Sequence, residues 1–355
     1  MTRSRTRSAS DSSLIARKAS DRLDRGFEIV KAGHIEFLVT DLGRASQFYV
    51  DTLGFVVTQS DSAHVYLRGL EDRQHHCLVL TKSESAGAGH FAFQVASEES
   101  LESLEALARS KGGKTSWVEE GEEAGQGRAL LVEDQFGFPV EFYAKMQGED
   151  WMLQKYDKYR GAKVMRLDHF NILLPDVAAA YDWYVNSLGF GCTEVTETEG
   201  PKPEMWAAWL RRKHTCHDIA LTTGSGPRVH HAGFTVAERI SIMDCADLLA
   251  SAGYLDRMER GPGRHGVSNA FFLYLRDPDG NRLELYTGDY LSADPDWKPI
   301  RWKLNDPQRQ TFWGAPTPAS WFNDAMLVRS PSTGKFMELS KPKIQDRPEY
   351  LLSAR

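Results

Sequence analysis

The chain repeats itself, and the repeat leaves few folds open to it. HIEFLVTDLGRASQFYVDTLGFVV begins at His34, and HFNILLPDVAAAYDWYVNSLGFGC begins at His169. Both read as a strand, an aspartate, an amphipathic helix ending in Leu-Gly-Phe, and a second strand. Ala45, Phe48, Tyr49 and Leu53 recur at helical spacing in the first copy, as do Ala180, Trp183, Tyr184 and Leu188 in the second. Gly54 and Gly189 follow the last apolar residue, where a helix C-terminus favours glycine.

The match continues downstream. HFAFQVASEESLESLEALARSKGG from His90 parallels HAGFTVAERISIMDCADLLASAGY from His231, and EDQFGFPVEFY (133–143) parallels RDPDGNRLELY (276–286). The expectation is an α+β fold in which each of two domains is a pair of strand–helix–strand–strand–strand (βαβββ) modules. The division expected is a disordered or extended tail over 1–31, a first module pair over 32–148, a linker over 149–159, a second module pair over 160–289, and a C-terminal lid and tail over 290–355. Beyond Tyr290 the repeat stops. Trp297, Trp302, Trp313 and Trp321 lie there among prolines without strand or helix period, which suits a segment packed over something already folded.

Charge and composition narrow the class. A net charge of −6 argues against general nucleic-acid binding. The tail is basic but lacks the apolar core of a secretion signal, and no apolar run is long enough to span a bilayer. Cys77, Cys192, Cys216 and Cys245 form no CxxC pair, which fits reduced thiols in a cytoplasmic protein. At 355 residues the apolar content suffices for a core in each domain.

The stretch 259–286, ERGPGRHGVSNAFFLYLRDPDGNRLELY, concentrates the chemistry. Asp277 to Gly280 is a type I turn signature between two strands. On the second strand Arg282, Glu284 and Tyr286 alternate with Leu283 and Leu285, so Glu284 faces with the polar set. An inward carboxylate needs a cationic partner. Arg282 is one candidate, and a metal is the other. His169 and His231 open the third and fourth modules, and with Glu284 they form a two-histidine, one-carboxylate set that leaves metal positions open. A lone strand histidine is more often a core residue; three donors at matching repeat positions point to a metal. His230 and His231 are adjacent and so expected on opposite faces, and the single His90 of the first copy selects His231. Asn171 shares a face with His169, Tyr274 lies on the strand before the turn, and His217 alternates with core-like positions. Arg260 and His265 bracket the GPGRHG loop, which lacks the spacing of a phosphate cradle.

RLDHFN, RKHTCHD, GPRVHH, ERGPGRHGVSNAF and DPDGNRLELYT together resemble the type I extradiol catechol dioxygenases of the vicinal-oxygen-chelate superfamily, most of all the homoprotocatechuate (3,4-dihydroxyphenylacetate) 2,3-dioxygenase group. The resemblance covers nearly the whole chain after the tail. It implies a glyoxalase-like fold, with extradiol cleavage of a substituted catechol by O2 to a hydroxymuconic semialdehyde-type product. Fe(II) is the implied metal, Mn(II) the alternative, and a homotetramer the implied assembly. It assigns His169, His231 and Glu284 to the metal. His217, Tyr274, Asn171 and His265 become acid–base or hydrogen-bonding groups, and Trp209, Arg260, His265, Arg309 and Gln310 face the substrate.

Two departures stand out. The family pattern has adjacent arginines where this chain reads Arg309-Gln310, so a charge-assisted hydrogen bond of roughly 1.5–3 kcal/mol would be lost and a neutral substituent could be favoured. Secondly, His34, His90 and Glu141 repeat the metal set in the first copy, with His76 matching His217 and Leu131 standing where Tyr274 stands. That second set is either a metal site or a vestige of duplication. Rival readings are a 4-hydroxyphenylpyruvate dioxygenase-like oxygenase and a non-enzymatic small-molecule-binding module of the same fold.

Overall fold

In the computed structural model, which describes residues 25–352, the chain forms two mixed sheets. Residues 1–24 of the basic tail lie outside the described residues. The first strand begins at Ile29, inside the stretch assigned to that tail, because Ile29 is buried and pairs with Val95.

The first half runs β1 (Ile29–Val39), α1 (Leu42–Ser46), β2 (Val56–Ser60), β3 (His64–Arg68), β4 (Leu78–Lys82), β5 (Gly87–Val95), α2 (Glu99–Ser110), β6 (Lys114–Val118), β7 (Ala129–Glu133) and β8 (Pro139–Tyr143). Its sheet order is β2-β3-β4-β1-β5-β8-β7-β6. The second half repeats this with β9 (Val164–Leu174), α3 (Val177–Asp182), β10 (Gly191–Glu197), β11 (Met205–Arg211), β12 (Ile219–Thr223), β13 (Arg228–Val236), α4 (Arg239–Ser251), β14 (Met258–Arg264), β15 (Phe271–Arg276) and β16 (Arg282–Thr287). Its order is β14-β15-β16-β13-β9-β12-β11-β10. After the repeat, β17 (Ile300–Lys303) extends the sheet beside β10 and β18 (Met326–Leu327) pairs with β13. Between them lie two single-turn helices, α5 (Pro307–Gln310) and α6 (Ser320–Asn323). No helix among the described residues is long and apolar enough to cross a membrane.

The repeated aspartates cap the repeated helices. Asp41 accepts from the Arg44 amide and Asp176 from the Ala179 amide, each at 3.0 Å. Each helix then widens into a π-helical turn, Gln47–Thr52 and Trp183–Ser187, before the left-handed glycines Gly54 (φ +83°) and Gly189 (φ +81°). Phe48, Tyr49, Trp183 and Tyr184 are all buried there. The expected pair of separate cores is instead one continuous core. Phe55 packs on Phe234 with ring centroids 5.0 Å apart, and Phe91 on Phe170 at 5.1 Å, so the halves share buried apolar area.

Candidate metal centre

β9, β13 and β16 lie side by side, and their register sets the site. Gly233 pairs with His169 on one side and with Glu284 on the other. A Cβ at Gly233 would stand 2.2 Å from Cε1 of His169, so only glycine lets that ring lie across the neighbouring strand. His169 Nε2 and His231 Nε2 then approach Glu284 Oε2 at 3.1 and 3.2 Å. One ligand atom from each of the three falls within 4.8 Å of the others, and all three residues are buried.

His230 departs from simple alternation. A bulge in β13 between Val229 and His231 inserts it as an extra residue. His230 and His231 therefore face the same cavity, with their Nδ1 atoms 2.7 Å apart, not opposite faces. His230 Nε2 lies 2.9 Å from the Trp321 carbonyl. The outer nitrogen of His169 lies 3.1 Å from Asp168 Oδ2, and Lys213 holds Asp168 in turn at 3.5 Å. Such contacts fix the ring tautomer and aim the inner nitrogen.

Protonation follows from these contacts. Burial alone would raise the Glu284 carboxyl, but the hydrogen bonds of His169 and His231 hold it well below its usual range. Burial pushes His231 down to about 4. Burial opposes charge on His169 too, yet Asp168 and Glu284 raise it to about 9. The site thus contains a fixed carboxylate and a proton held on His169, the place a divalent cation would take. Two imidazoles and one carboxylate, each buried and oriented from outside, fit such an ion.

A cavity partly open to solvent lies over this floor. His217, Asn171, Trp209, His265, Tyr274, Arg309 and Gln310 all line it. The His217 ring lies 4.0 Å from that of His169, centroid to centroid, and its Nδ1 has no hydrogen-bond partner among the described residues. Burial holds His217 well below its ordinary pKa, so it is neutral. His265 Nδ1 donates to the Gln310 carbonyl at 2.5 Å, and its Nε2 accepts from the Tyr274 hydroxyl at 3.0 Å. Burial pushes His265 down to about 3, so it too is neutral. Thr222 donates to Asn171 Oδ1 at 3.2 Å.

Arg260 is held against Gln310, which lines the cavity, and its Nε and one terminal nitrogen have no hydrogen-bond partner among the described residues. It sits opposite Tyr274 in the strand pairing, between two irregularities of β14, and its guanidinium runs under the C-terminal segment. It donates to the Gln310 carbonyl at 3.0 Å and to Thr311 Oγ1 at 2.7 Å, and lies 4.4 Å from the Trp321 ring centroid. Trp206, Trp321, Phe322 and Asp346 also line the walls. Trp321 was legible only as one of several aromatics after the repeat, and Asp346 gave no signal in the sequence.

Comparison with known proteins agrees with this geometry. The family model "Glyoxalase/Bleomycin resistance protein/Dioxygenase superfamily" matches residues 31–142 and 166–285. A manganese-dependent 2,3-dihydroxybiphenyl 1,2-dioxygenase of Geobacillus genomosp. 3 is 32% identical over 81% of this chain and 95% of its own length. A metapyrocatechase of Geobacillus stearothermophilus is 30% identical over 89% of this chain and 97% of its own. The structure of homoprotocatechuate 2,3-dioxygenase from Brevibacterium fuscum with 3,4-dihydroxyphenylacetate superposes with a TM-score of 0.85 at 41% identity, covering 89% of this chain and 98% of that one.

The chain belongs to the Glyoxalase/Bleomycin resistance protein/Dioxygenase superfamily. Within it, this is a metal-dependent extradiol ring-cleaving dioxygenase.

Proposed function

We propose that the chain cleaves a catechol bearing a short acidic side chain, with His169, His231 and Glu284 holding the metal. When bound, the metal supplies a Lewis-acidic, redox-active centre at which catechol and O2 meet. Trp209, His217 and Tyr274 line the cavity beside the donor set, so a catechol ring bound there would lie within reach of all three. His217, neutral and with Nδ1 unpartnered, accepts the proton that a catechol hydroxyl loses and returns it as the ring opens. Burial keeps the Tyr274 hydroxyl protonated, and with its hydrogen given to His265 Nε2 its oxygen is left to accept from a catechol hydroxyl. Asn171, anchored by Thr222, lines the same floor.

The observation that carries the acidic side chain is Arg309. It is 2% exposed, it lines the cavity, and its Nε and one terminal nitrogen have no hydrogen-bond partner among the described residues. An unpaired buried guanidinium is costly, and a substrate carboxylate supplies the missing acceptor. Arg260 adds positive charge from behind. Gln310, with Oε1 unpartnered, supports the second reading, a neutral hydrogen-bonding substituent. Comparing kcat/KM for 3,4-dihydroxyphenylacetate and 4-methylcatechol separates them. An acid preference of roughly 10- to 100-fold, lost in Arg309→Met, supports the first. Equal or better turnover of 4-methylcatechol sinks it.

An aryl-pyruvate oxygenase has no need of the His217 and Tyr274 pair on the cavity, and a sequestering module has no need of an oriented donor triad. The same reading includes a cytoplasmic homotetramer. All four cysteines are unpaired, and Phe312, Trp313 and Leu291 leave apolar surface exposed on the C-terminal segment. Light scattering that returns a monomer would remove the assembly from the account.

A further inference from the structure

The first half of the chain holds a second convergence of donors that ring cleavage does not use. β1, β5 and β8 repeat the register of β9, β13 and β16. His34 pairs with Ala92 and Ala92 with Glu141, as His169 pairs with Gly233 and Gly233 with Glu284. His90 precedes Ala92 by the spacing with which His231 precedes Gly233. The loop between β6 and β7 adds a donor that the strand repeat does not contain, Glu123. One ligand atom from each of His34, His90, Glu123 and Glu141 lies within 4.8 Å of the others.

The contacts within this cluster are close, but those between its carboxylates and histidines are not formed as hydrogen bonds. His34 Nε2 is 2.9 Å from His90 Nε2, and 3.4 Å from both Glu123 Oε1 and Glu141 Oε1. His76 Nε2 is 2.6 Å from Glu123 Oε1, yet the two atoms are out of line for a hydrogen bond, and neither has another partner among the described residues. His76 and His34 are fully buried, and Glu141 is nearly so. Donor atoms that crowd one point, with carboxylate and imidazole atoms left unpartnered, suit a cation held between them.

Charge points the same way. Among the described residues, the ion pairs of Glu123 and Glu141 all run to histidines, with no lysine or arginine among them. Two carboxylates in a nearly closed site require a cation. A divalent ion balances both, with neutral imidazoles completing the set. The donors are also oriented from outside. His90 Nδ1 lies 3.2 Å from Glu36 Oε2, and Gln126 donates to Glu141 Oε1 at 2.8 Å. Gly89 makes the first of these contacts feasible, since a Cβ there would stand 1.6 Å from Glu36 Oε2.

We propose that the N-terminal module pair binds a second divalent transition-metal ion, of the Zn(II), Fe(II) or Mn(II) kind, through His34, His90, Glu123 and Glu141, with the unpartnered His76 Nε2 beside Glu123. This ion holds structure and does not cleave rings. Leu131 pairs with Glu141 where Tyr274 pairs with Glu284, so the hydroxyl of the second half has no counterpart. Four protein donors close a site that three leave open.

Elemental analysis of the dialysed full-length enzyme tests this. The expected result is two metal ions per chain in the wild type, and one in both His90→Ala and Glu123→Gln, with ring cleavage retained. His231→Ala should also fall to one, with ring cleavage lost. Glu123→Gln keeps the side chain's shape on a partly exposed loop, so it decides the matter if His90→Ala fails to fold. One ion per chain in the wild type, or a content unchanged by Glu123→Gln, overturns the proposal.

Discussion

Arg282 holds Glu259 at two points, Nε to Oε2 at 2.5 Å and a terminal nitrogen to Oε1 at 2.8 Å. That leaves Glu284, two residues along the same strand, to His169 and His231. The Arg282 guanidinium also donates to the His230 carbonyl at 3.2 Å and to the Ser320 carbonyl at 3.1 Å. One buried cation therefore ties β16 to the bulge beside a proposed metal ligand and to the C-terminal segment.

Removing the acid is expected to cost more than removing the base. Glu259→Gln leaves the buried Arg282 charge uncompensated, at about 3–5 kcal/mol in chemical denaturation. Arg282→Met leaves Glu259 still paired with Arg276, at 2.8 and 3.0 Å, and should cost less. The pair also has a pH signature. Burial would raise the Glu259 carboxyl, but Arg282 and Arg276 hold it down to about 2. A folded pKa below the unfolded value of about 4.3 gives stability that is complete above that value. The stability is lost as pH falls toward the folded pKa. The difference in unfolding free energy between wild type and Glu259→Gln should shrink on acidification from about pH 5 to pH 3. A constant difference would contradict this role.

His217→Gln is expected to lower kcat by roughly 10²- to 10⁴-fold, the usual contribution of a positioned acid–base group. Its metal content should be unchanged, because His217 is not one of the three converging donors. Loss of metal together with activity would instead make His217 a structural support of the His169 ring, against which it packs.

Tyr274→Phe removes the hydroxyl but keeps the ring beneath Trp321, whose centroid is 4.4 Å away. A fall in kcat worth about 1–3 kcal/mol is expected, with the unfolding midpoint little changed. A large loss of stability with normal turnover would show that the hydroxyl serves only the contact with His265.

Gln310→Arg should sharpen the preference for an acidic side chain. The substitution adds a donor pair beside Arg309, worth roughly 1.5–3 kcal/mol when charge-assisted. The ratio of kcat/KM for 3,4-dihydroxyphenylacetate to that for 4-methylcatechol should rise by about tenfold or more. A ratio that does not move would place the side chain elsewhere in the cavity.

Much of the architecture was legible because it is written twice. The aspartate caps, the Leu-Gly-Phe helix ends and the alternation at Arg282, Glu284 and Tyr286 are local patterns, and locally they are what folded. The misreadings share a cause in non-local geometry. Strict alternation separates His230 from His231, and only the bulge against β9 brings them together. Glu123 lies in a loop with no twin residue type in the second half, so nothing marked it as a donor. The shared core was hidden for a related reason: an apolar face does not name its partner, and Phe91 packs on Phe170 of the other half as well as on Phe93 and Phe138 of its own.

The account rests on cleavage outside the diol, and oxygen consumption measured together with product colour tests it most directly. Enzyme reconstituted anaerobically with Fe(II) or Mn(II) and then given 3,4-dihydroxyphenylacetate in air should consume one O2 per catechol and form a yellow ring-opened semialdehyde. Glu284→Gln should form none. The account is contradicted if the wild type takes up no oxygen across substituted catechols, if the product is a colourless dicarboxylic acid from cleavage between the hydroxyls, or if Glu284→Gln retains full metal and activity.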